Sequence, residues 1–468
     1  MLQLNFCKME IRLTLGRKNL LRDFSSRERK CVSYRYISPF FKEITPTISL
    51  KNISLISILQ NSSYKSLGKE KACGIDGQSW HAYGEHLDEN LVDLVERLKA
   101  KRYQPLPAKR VYIPKNDTEL RALGLPAIED KIVQKGIARI LEAIYEVDFR
   151  DCSYGYRPKR SCHQALKVVD RTIMRERVNY VIEADIKGFF DHVSHDWMIK
   201  CLQVRISDSS LLLLIRRFLT AGYMESGLLV RTEQGTPQGG NLSPMLANIF
   251  LHYVLDLWFE KRVKSHVDRR CRLVRYADDF VCMVPTAENA QELEEMLQAR
   301  FAKFGLTLHP EKTRTISFGR FERENARRQG RRPHTFDFLG FTHYCGRSRK
   351  GRFLLGRKTS GKKFRKACRE MNAWLRKVRS AMPLRDIWRI LAAKLRGHYQ
   401  YYGVSGNSRM IRNFGYVTIR AVYKWLKRRS QRRSFTWERL NAYLARYPLP
   451  PPRLVHHWYR PSPSRETG

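Results

Sequence analysis

An α+β chain with an antiparallel sheet, followed by an all-helical region, is the fold class this sequence predicts. Three observations carry that expectation. Short β-branched and aromatic runs alternate with amphipathic stretches through the middle of the chain. One pair of such runs folds back about two adjacent aspartates. Beyond about residue 346 the strand-like runs stop, and apolar residues recur at spacings of three and four. The 468 residues, 43% of them hydrophobic, hold enough apolar material for two or three domains.

Residues 1–65 sustain no period. Basic clusters such as Arg27-Glu28-Arg29-Lys30 give way to Ser-, Ile-, Leu- and Asn-rich text from Thr47 to Ser63, and no role is assigned to it. From residue 66 to 345 the chain is patterned. Asn179 to Ile186 reads as a strand with Val181, Glu183 and Asp185 on one face. Leu273 to Val284 reads as two short strands joined at Asp278-Asp279. Ser243-Pro244 is the expected N-cap and first turn of a helix bearing Leu246, Ile249, Phe250, Tyr253, Val254, Leu257 and Trp258 on one face. A second helix is expected from about Ala287 to Phe304, carrying Leu293, Met296 and Leu297 and closed by Gly305. From 346 to 430 three basic amphipathic helices are expected. Their stripes are Phe364 to Val378, then Ile387, Trp388, Leu391, Leu395 and Tyr399, then Ile411, Phe414, Ala421, Val422 and Trp425. The stretch 431–468 is basic, then Pro-rich and extended.

Lys and Arg total 88 against 45 Asp and Glu, a formal net charge of +43. Charge of that size self-repels, and a polyanionic partner is its natural explanation, because the excess runs through whole segments. A solvated basic surface or a membrane surface is the competing reading. The 10 cysteines include no Cys-x-x-Cys pair, so neither a zinc ribbon nor a disulfide framework is indicated. The apolar stretch Ile44 to Leu59 is interrupted by Lys51 and Asn52 and is too short to span a bilayer. The expectation is a reduced, cytoplasmic protein.

In so basic a chain, adjacent carboxylates stand out. Two like charges held together are unfavourable unless a cation neutralises them. The turn at Asp278-Asp279 also lacks the Gly or Asn that eases tight hairpins, which implies backbone strain. Asp185 ends an apolar strand that can pair beside the hairpin, and three such carboxylates make an all-oxygen site suited to Mg²⁺. Two ions in such a site activate a 3′-hydroxyl and stabilise leaving pyrophosphate. A lone Asp-Asp pair is otherwise a solvated turn.

Tyr276-Ala-Asp-Asp279 resembles the catalytic hairpin of reverse transcriptases, and Asp185-Ile-Lys-Gly-Phe-Phe-Asp191 their first metal-binding motif. Gln234-Gly-Thr-Pro-Gln-Gly-Gly-Asn-Leu-Ser-Pro244 is similar to the segment beneath the templating pair. Val111 to Lys115, Arg121 to Pro126 and Ser153 to Pro158 resemble fingers motifs of the group II intron branch. Leu308 to Thr313 and Phe336 to Phe341 resemble its last palm motifs, all in family order across about 74–345. Ala122 stands where many relatives have Pro.

The resemblance implies a right-hand polymerase: fingers and palm, then a helical thumb and maturase domain. It implies that Asp185, Asp278 and Asp279 hold two Mg²⁺ ions, with the Ile186 carbonyl a further ligand and Asp191 supporting the loop. Phe190 would lie under the incoming sugar and exclude a 2′-hydroxyl. Gln238 would contact the incoming nucleotide, and Lys115 and Arg121 its triphosphate, where the Arg fork suits phosphate oxygens. Lys312 would protonate pyrophosphate. Lys394 to Asn407 is similar to the hallmark of the intron-maturase region, offering Lys394, Arg396 and His398 for phosphates and Tyr399, Tyr401 and Tyr402 for stacking. The alternative is that the tyrosines pack the helices and only the cations meet RNA. His456-His457 has no cysteine nearby, so a Cys/His endonuclease is not expected. The activity implied is RNA-directed DNA synthesis coupled to binding of intron RNA, with deoxynucleotides and a DNA target and primer as partners. The alternatives are a catalytically silent splicing maturase or an enzyme of a retron or diversity-generating lineage.

Overall fold

Runs such as Tyr180–Ala184 and Asp279–Val284 assemble into a sheet because they carry β-branched and aromatic residues, and the hairpin turns at Ser226-Gly227, Ala277 and Leu339-Gly340 take positive φ. The computed structural model describes residues 63–114, 119–236, 239–429 and 436–458. Lys115, Gln238 and residues 430–433 of the basic run therefore lie outside the described residues. Its strands are β1 (Ala108–Pro114), β2 (Leu120–Leu125), β3 (Tyr180–Ala184), β4 (Tyr223–Glu225), β5 (Leu228–Val230), β6 (Arg272–Tyr276), β7 (Asp279–Val284), β8 (Arg314–Ser317), β9 (Thr335–Phe338), β10 (Phe341–Arg347) and β11 (Phe353–Thr359). They form one sheet of order β6-β7-β3-β8, a second of order β2-β1-β4-β5, and the meander β11-β10-β9. The first and third are antiparallel throughout. In the second, β1 pairs parallel with β4.

The helices that frame the sheets and build the second core are α1 (Ile128–Tyr145), α2 (Cys162–Arg175), α3 (Ser243–Leu251), α4 (Ala287–Lys303), α5 (Gly361–Val378), α6 (Leu384–Tyr402), α7 (Ser408–Leu426) and α8 (Trp437–Arg446). α2 opens with a capping box, the Ser161 hydroxyl accepting from Gln164 N while the Gln164 side chain accepts from Ser161 N. Its Leu166, Val169 and Ile173 bury against Val181, Val274, Val281 and Phe336, forming one core beneath the central sheet and the meander. α4 runs as its periodicity predicts and stops before Gly305, whose φ of +74° is costly for other residues.

α3 departs from its expected start. The helix begins at Ser243 with Leu242 as its cap, so Pro244 takes the second position and no side chain caps the end. It then continues through two π-helical stretches, His252–Asp256 and Phe259–Val263. Such widened turns rotate the residues beyond them and often mark functional sites. Here Asp256 lies in the first of them and is buried.

The change from strand to helix falls between Thr359 and Gly361, later than the expected 346, because β11 still pairs antiparallel with β10. The three expected stripes close on each other as a second core, Met371, Leu375 and Val378 of α5 meeting Leu391 and Leu395 of α6 and Phe414, Val422 and Trp425 of α7. α8 adds Leu440. Among the described residues the cysteines are all unpaired, and no helix is long and apolar enough to cross a membrane. The observed class is thus a mixed α+β domain with antiparallel sheets, followed by a helix-rich region.

Candidate active site

The β6–β7 hairpin is tight because Tyr276 pairs directly with Asp279, leaving only Ala277 and Asp278 to turn the chain. Ala277 takes φ +58°, a left-handed conformation that costs a residue with a Cβ roughly 1–2 kcal/mol. The strain inferred from the missing glycine is therefore present. What holds it is a buried cation one strand position back. The Arg275 guanidinium donates to the Ala277 carbonyl at 2.9 Å, to Asn248 Oδ1 at 3.0 Å and to Ser153 Oγ at 2.8 Å. Its Nε donates to Asp256 Oδ1 at 2.8 Å, and both side chains of that ion pair are fully buried. A methyl group on Gly155 would come within 2.4 Å of Ala277 N, so the Ser153-Tyr154-Gly155 segment packs directly under the turn. Neither Arg275 nor Asp256 stood out in the sequence. A basic residue inside an apolar strand and an acid inside an apolar helix were the only hints.

Asp185 follows β3, whose last ladder pair is Ala184 with Phe280. One further step in that register sets Asp185 opposite Asp279. The Asp185 carbonyl accepts from His309 N at 2.8 Å and the Thr307 carbonyl from Lys187 N at 2.9 Å. This isolated bridge of Ile186 with Leu308 does not consume the Ile186 carbonyl. Lys312 reaches the same place, its ammonium donating to Asp185 Oδ2 at 2.7 Å.

Surrounding protein and the neighbouring carboxylates both act against ionisation here. The Asp279 carboxyl, although open to solvent, is pushed up to about 7, first by loss of hydration at the crowded strand end and then by Asp278, Asp185 and Glu183. Asp278 is raised by burial and by Asp185, while the positive charges of Arg121 and Arg275 pull it down. Glu183 is raised by burial against its bond from Arg314. Among the described residues no three such donors stand close enough to hold an ion as they are. The donor chemistry nonetheless fits a hard divalent cation: oxygen ligands only, repelling one another, one of them already turned to an ammonium.

Beside these carboxylates, Phe190 is half-buried and stacks edge-on with Phe189 at 5.3 Å. The Phe190 carbonyl accepts from Thr236 N at 2.6 Å, and Gly235 N donates to the Val193 carbonyl at 2.7 Å. A side chain on Gly235, at φ +91°, would strike the Phe190 and Asp191 carbonyls. On the far side, Gly239 lies so close to the Gly124 carbonyl that a methyl would approach to 2.6 Å. Gly235 thus lies against the Phe190 turn and Gly239 against β2. Arg121 is exposed on β2, paired in register with Ile113.

The Lys394 to Tyr402 segment is the end of α6. Lys394 and Arg396 are exposed. His398 stacks on Phe414 at 3.6 Å, and burial lowers its imidazole to about 4. Tyr399 is buried. Tyr401 donates to the Leu339 carbonyl at 3.0 Å, and Tyr402 packs on Phe341 at 5.3 Å. Leu339 and Gly340, at φ +49° and +79°, make the two-residue turn between β9 and β10, so the Phe-Leu-Gly-Phe stretch is the seat on which α6 rests. The polar atoms of this segment face protein at its aromatic residues and solvent at its cations.

Comparison with known proteins gives a consistent picture. The family model described as reverse transcriptase (RNA-dependent DNA polymerase) matches residues 113–343. The group II intron-encoded protein LtrA of Lactococcus lactis subsp. cremoris is 40% identical over 200 residues, covering 42% of this chain and 33% of that protein. Protein YkfC of Escherichia coli K12 is 33% identical over 340 residues, covering 65% of this chain and 84% of YkfC. A protein in the cob intron of Schizosaccharomyces pombe is 36% identical over 193 residues, covering 40% of this chain and 23% of that protein. The matched stretch is about a third of the length of LtrA and most of YkfC.

Proposed function

The chain belongs to the group II intron-encoded reverse transcriptase and maturase family, and from that membership we propose that it is an RNA-directed DNA polymerase that also binds its intron RNA to assist splicing and mobility. The observation that carries the polymerase reading is the gathering of Asp185, Asp278 and Asp279 at one end of the central sheet, where Asp185 helps to raise the carboxyls of both Asp278 and Asp279. Residues 66–345 are then fingers and palm, 346–430 the thumb and maturase region, and 431–468 a basic tail. Asp185, Asp278, Asp279 and the Ile186 carbonyl would hold two Mg²⁺ ions, which supply Lewis-acid activation of the primer 3′-hydroxyl and neutralise charge on pyrophosphate.

The chain's own residues do the rest. Arg121, with Lys115, orients the triphosphate. Phe190 bars a 2′-hydroxyl, and Gln238 steadies the incoming deoxynucleotide. Lys312, seated on Asp185, carries a proton within reach of a leaving group at the carboxylates. Lys394 and Arg396 meet RNA phosphates, with His398, Tyr399, Tyr401 and Tyr402 setting the shape of the end of α6 rather than stacking on bases. Template RNA, DNA primer and target, and deoxynucleotides are the partners.

Primer extension on an RNA template with a DNA primer and Mg²⁺ tests this, with Asp278→Ala alongside. Extension by the native chain and none by the variant is the expected result. Tight, salt-sensitive binding to intron RNA without extension by either would sink the polymerase reading and leave a maturase acting through binding.

A further inference from the structure

A groove of about 630 Å³ lies on the helical region, away from the carboxylates, lined by α5, α7 and the first residue of α8. That volume is in the range of sites for small organic ligands, roughly 300–1,000 Å³. Its lining divides by chemistry. Met371, Val417 and Ala421 are apolar. Tyr423 and Trp437 stack on each other at 4.0 Å with their planes 15° apart, and Trp437 keeps 39% of its surface exposed. Arg420, Lys424, Lys427 and Arg428 also line it, all exposed and spaced to share one face of α7 and the turn after it. None of these four has a carboxylate partner among the described residues, and no acidic residue lines the groove.

Two polar groups in the groove are placed for a ligand. Asn372 is fixed by accepting from Trp425 Nε1 at 2.8 Å, which leaves its amide nitrogen as a donor. Thr418 is 1% exposed, and its hydroxyl has no hydrogen-bond partner among the described residues. A buried hydroxyl without a partner is destabilising unless something completes it. For packing alone, valine would serve better at this position.

We propose that this groove holds one unpaired nucleotide of a single-stranded nucleic acid, its base against Trp437 and its edge on Thr418, with the flanking phosphates on the four cations. An aromatic face beside a row of unneutralised cations is what single strands require, since every base has a face to stack and every linkage a charge. The site is separate from the carboxylates and does not depend on the polymerase reading. RNA and single-stranded DNA share the recognised chemistry.

The test is binding of matched single-stranded RNA and single-stranded DNA oligonucleotides, each carrying 2-aminopurine, and of the corresponding duplex. The key variant is Thr418→Val, which keeps the shape and removes the hydroxyl. A purely structural role predicts equal or higher melting temperature and unchanged binding. The site predicts equal or higher melting temperature with a roughly fivefold loss of single-strand affinity, the size of one hydrogen bond, and no change on duplex. Loss on RNA alone assigns the nucleotide to RNA; loss on both strands assigns it to either. Lys424→Glu with Arg428→Glu should weaken single-strand binding further. If charge reversal weakens binding while Thr418→Val binds as the native chain does, the base site is overturned and only phosphate contact remains.

Discussion

At the scale of single residues, burial and like charge at the carboxylate end of the central sheet raise Asp278 and Asp279 above the usual carboxylate range. The Asp279 carboxyl is pushed up from the ordinary 3.8 to about 7 by its crowded surroundings and the neighbouring carboxylates. A carboxyl raised in the folded state stabilises the fold fully below its unfolded pKa. That contribution disappears as pH rises through the folded value, because the chain must then carry a crowded negative charge. Without divalent cations, Asp279→Asn should therefore melt progressively higher than the native chain as pH is raised from about 4 to about 7. Adding Mg²⁺ should narrow that gap, since a bound cation favours the charged form only where the carboxylate is present. Melting curves in chelator at several pH values check this. A gap that stays constant across the window would mean Asp279 titrates as an ordinary surface acid.

At the scale of elements, the β6–β7 hairpin shows which parts of the site were legible. Its two strands, the position of the acidic pair and the strained turn followed from apolar runs, adjacent carboxylates and the missing glycine. The three stripes of α5, α6 and α7 were equally legible, because a helix face repeats locally. The Arg275 support was not, because Ser153 and Asp256 lie 122 and 19 residues away in sequence and meet Arg275 only through the fold. The π-helical stretch that carries Asp256 was hidden too, since a helix that widens by one residue keeps an apolar composition. This support makes a prediction about the turn. Ala277→Gly removes the steric cost of φ +58°, offset in part by glycine's greater freedom when unfolded, so stability should be unchanged or rise by about 0.5–1 kcal/mol. The same change loosens the backbone that aims Asp278 and Asp279. Primer extension should fall roughly tenfold, because small displacements of reacting groups are costly. Denaturant unfolding and single-turnover extension on one preparation separate the two effects. Full activity in the glycine variant would show that the strain plays no part in aiming the carboxylates.

At the scale of the whole molecule, the question is what keeps the helical region on the sheets. α6 rests on the β9–β10 turn through Tyr401 and Tyr402, but a second attachment comes from the far end of the described chain. After α8 the backbone runs back extended, Tyr447 accepting from Trp388 Nε1 at 2.9 Å. Val455 and His456 donate to the Gly403 carbonyl, and Ser405 N donates back to the His456 carbonyl at 3.0 Å. His456 stacks on His163 at the start of α2 at 3.8 Å. Trp458 covers the Arg357 guanidinium at 4.2 Å, and Arg357 is itself buried in β11 and paired with Asp170 of α2. One strap thus touches the α6–α7 turn, the meander and α2, joining the two cores. The sequence marked this stretch only as proline-rich and extended. Where an extended segment docks depends on partners it meets late in folding, and no local period announces them. Cutting the strap should uncouple the cores while leaving each intact. His456→Ala with Trp458→Ala should keep the helix content of the native chain yet replace one cooperative melting transition with two, since two-state behaviour requires the parts to unfold together. Calorimetry of the native and double-variant chains decides it. A single transition at the native temperature would mean that the α6 seat on Leu339 and Phe341 couples the two regions without help from the strap.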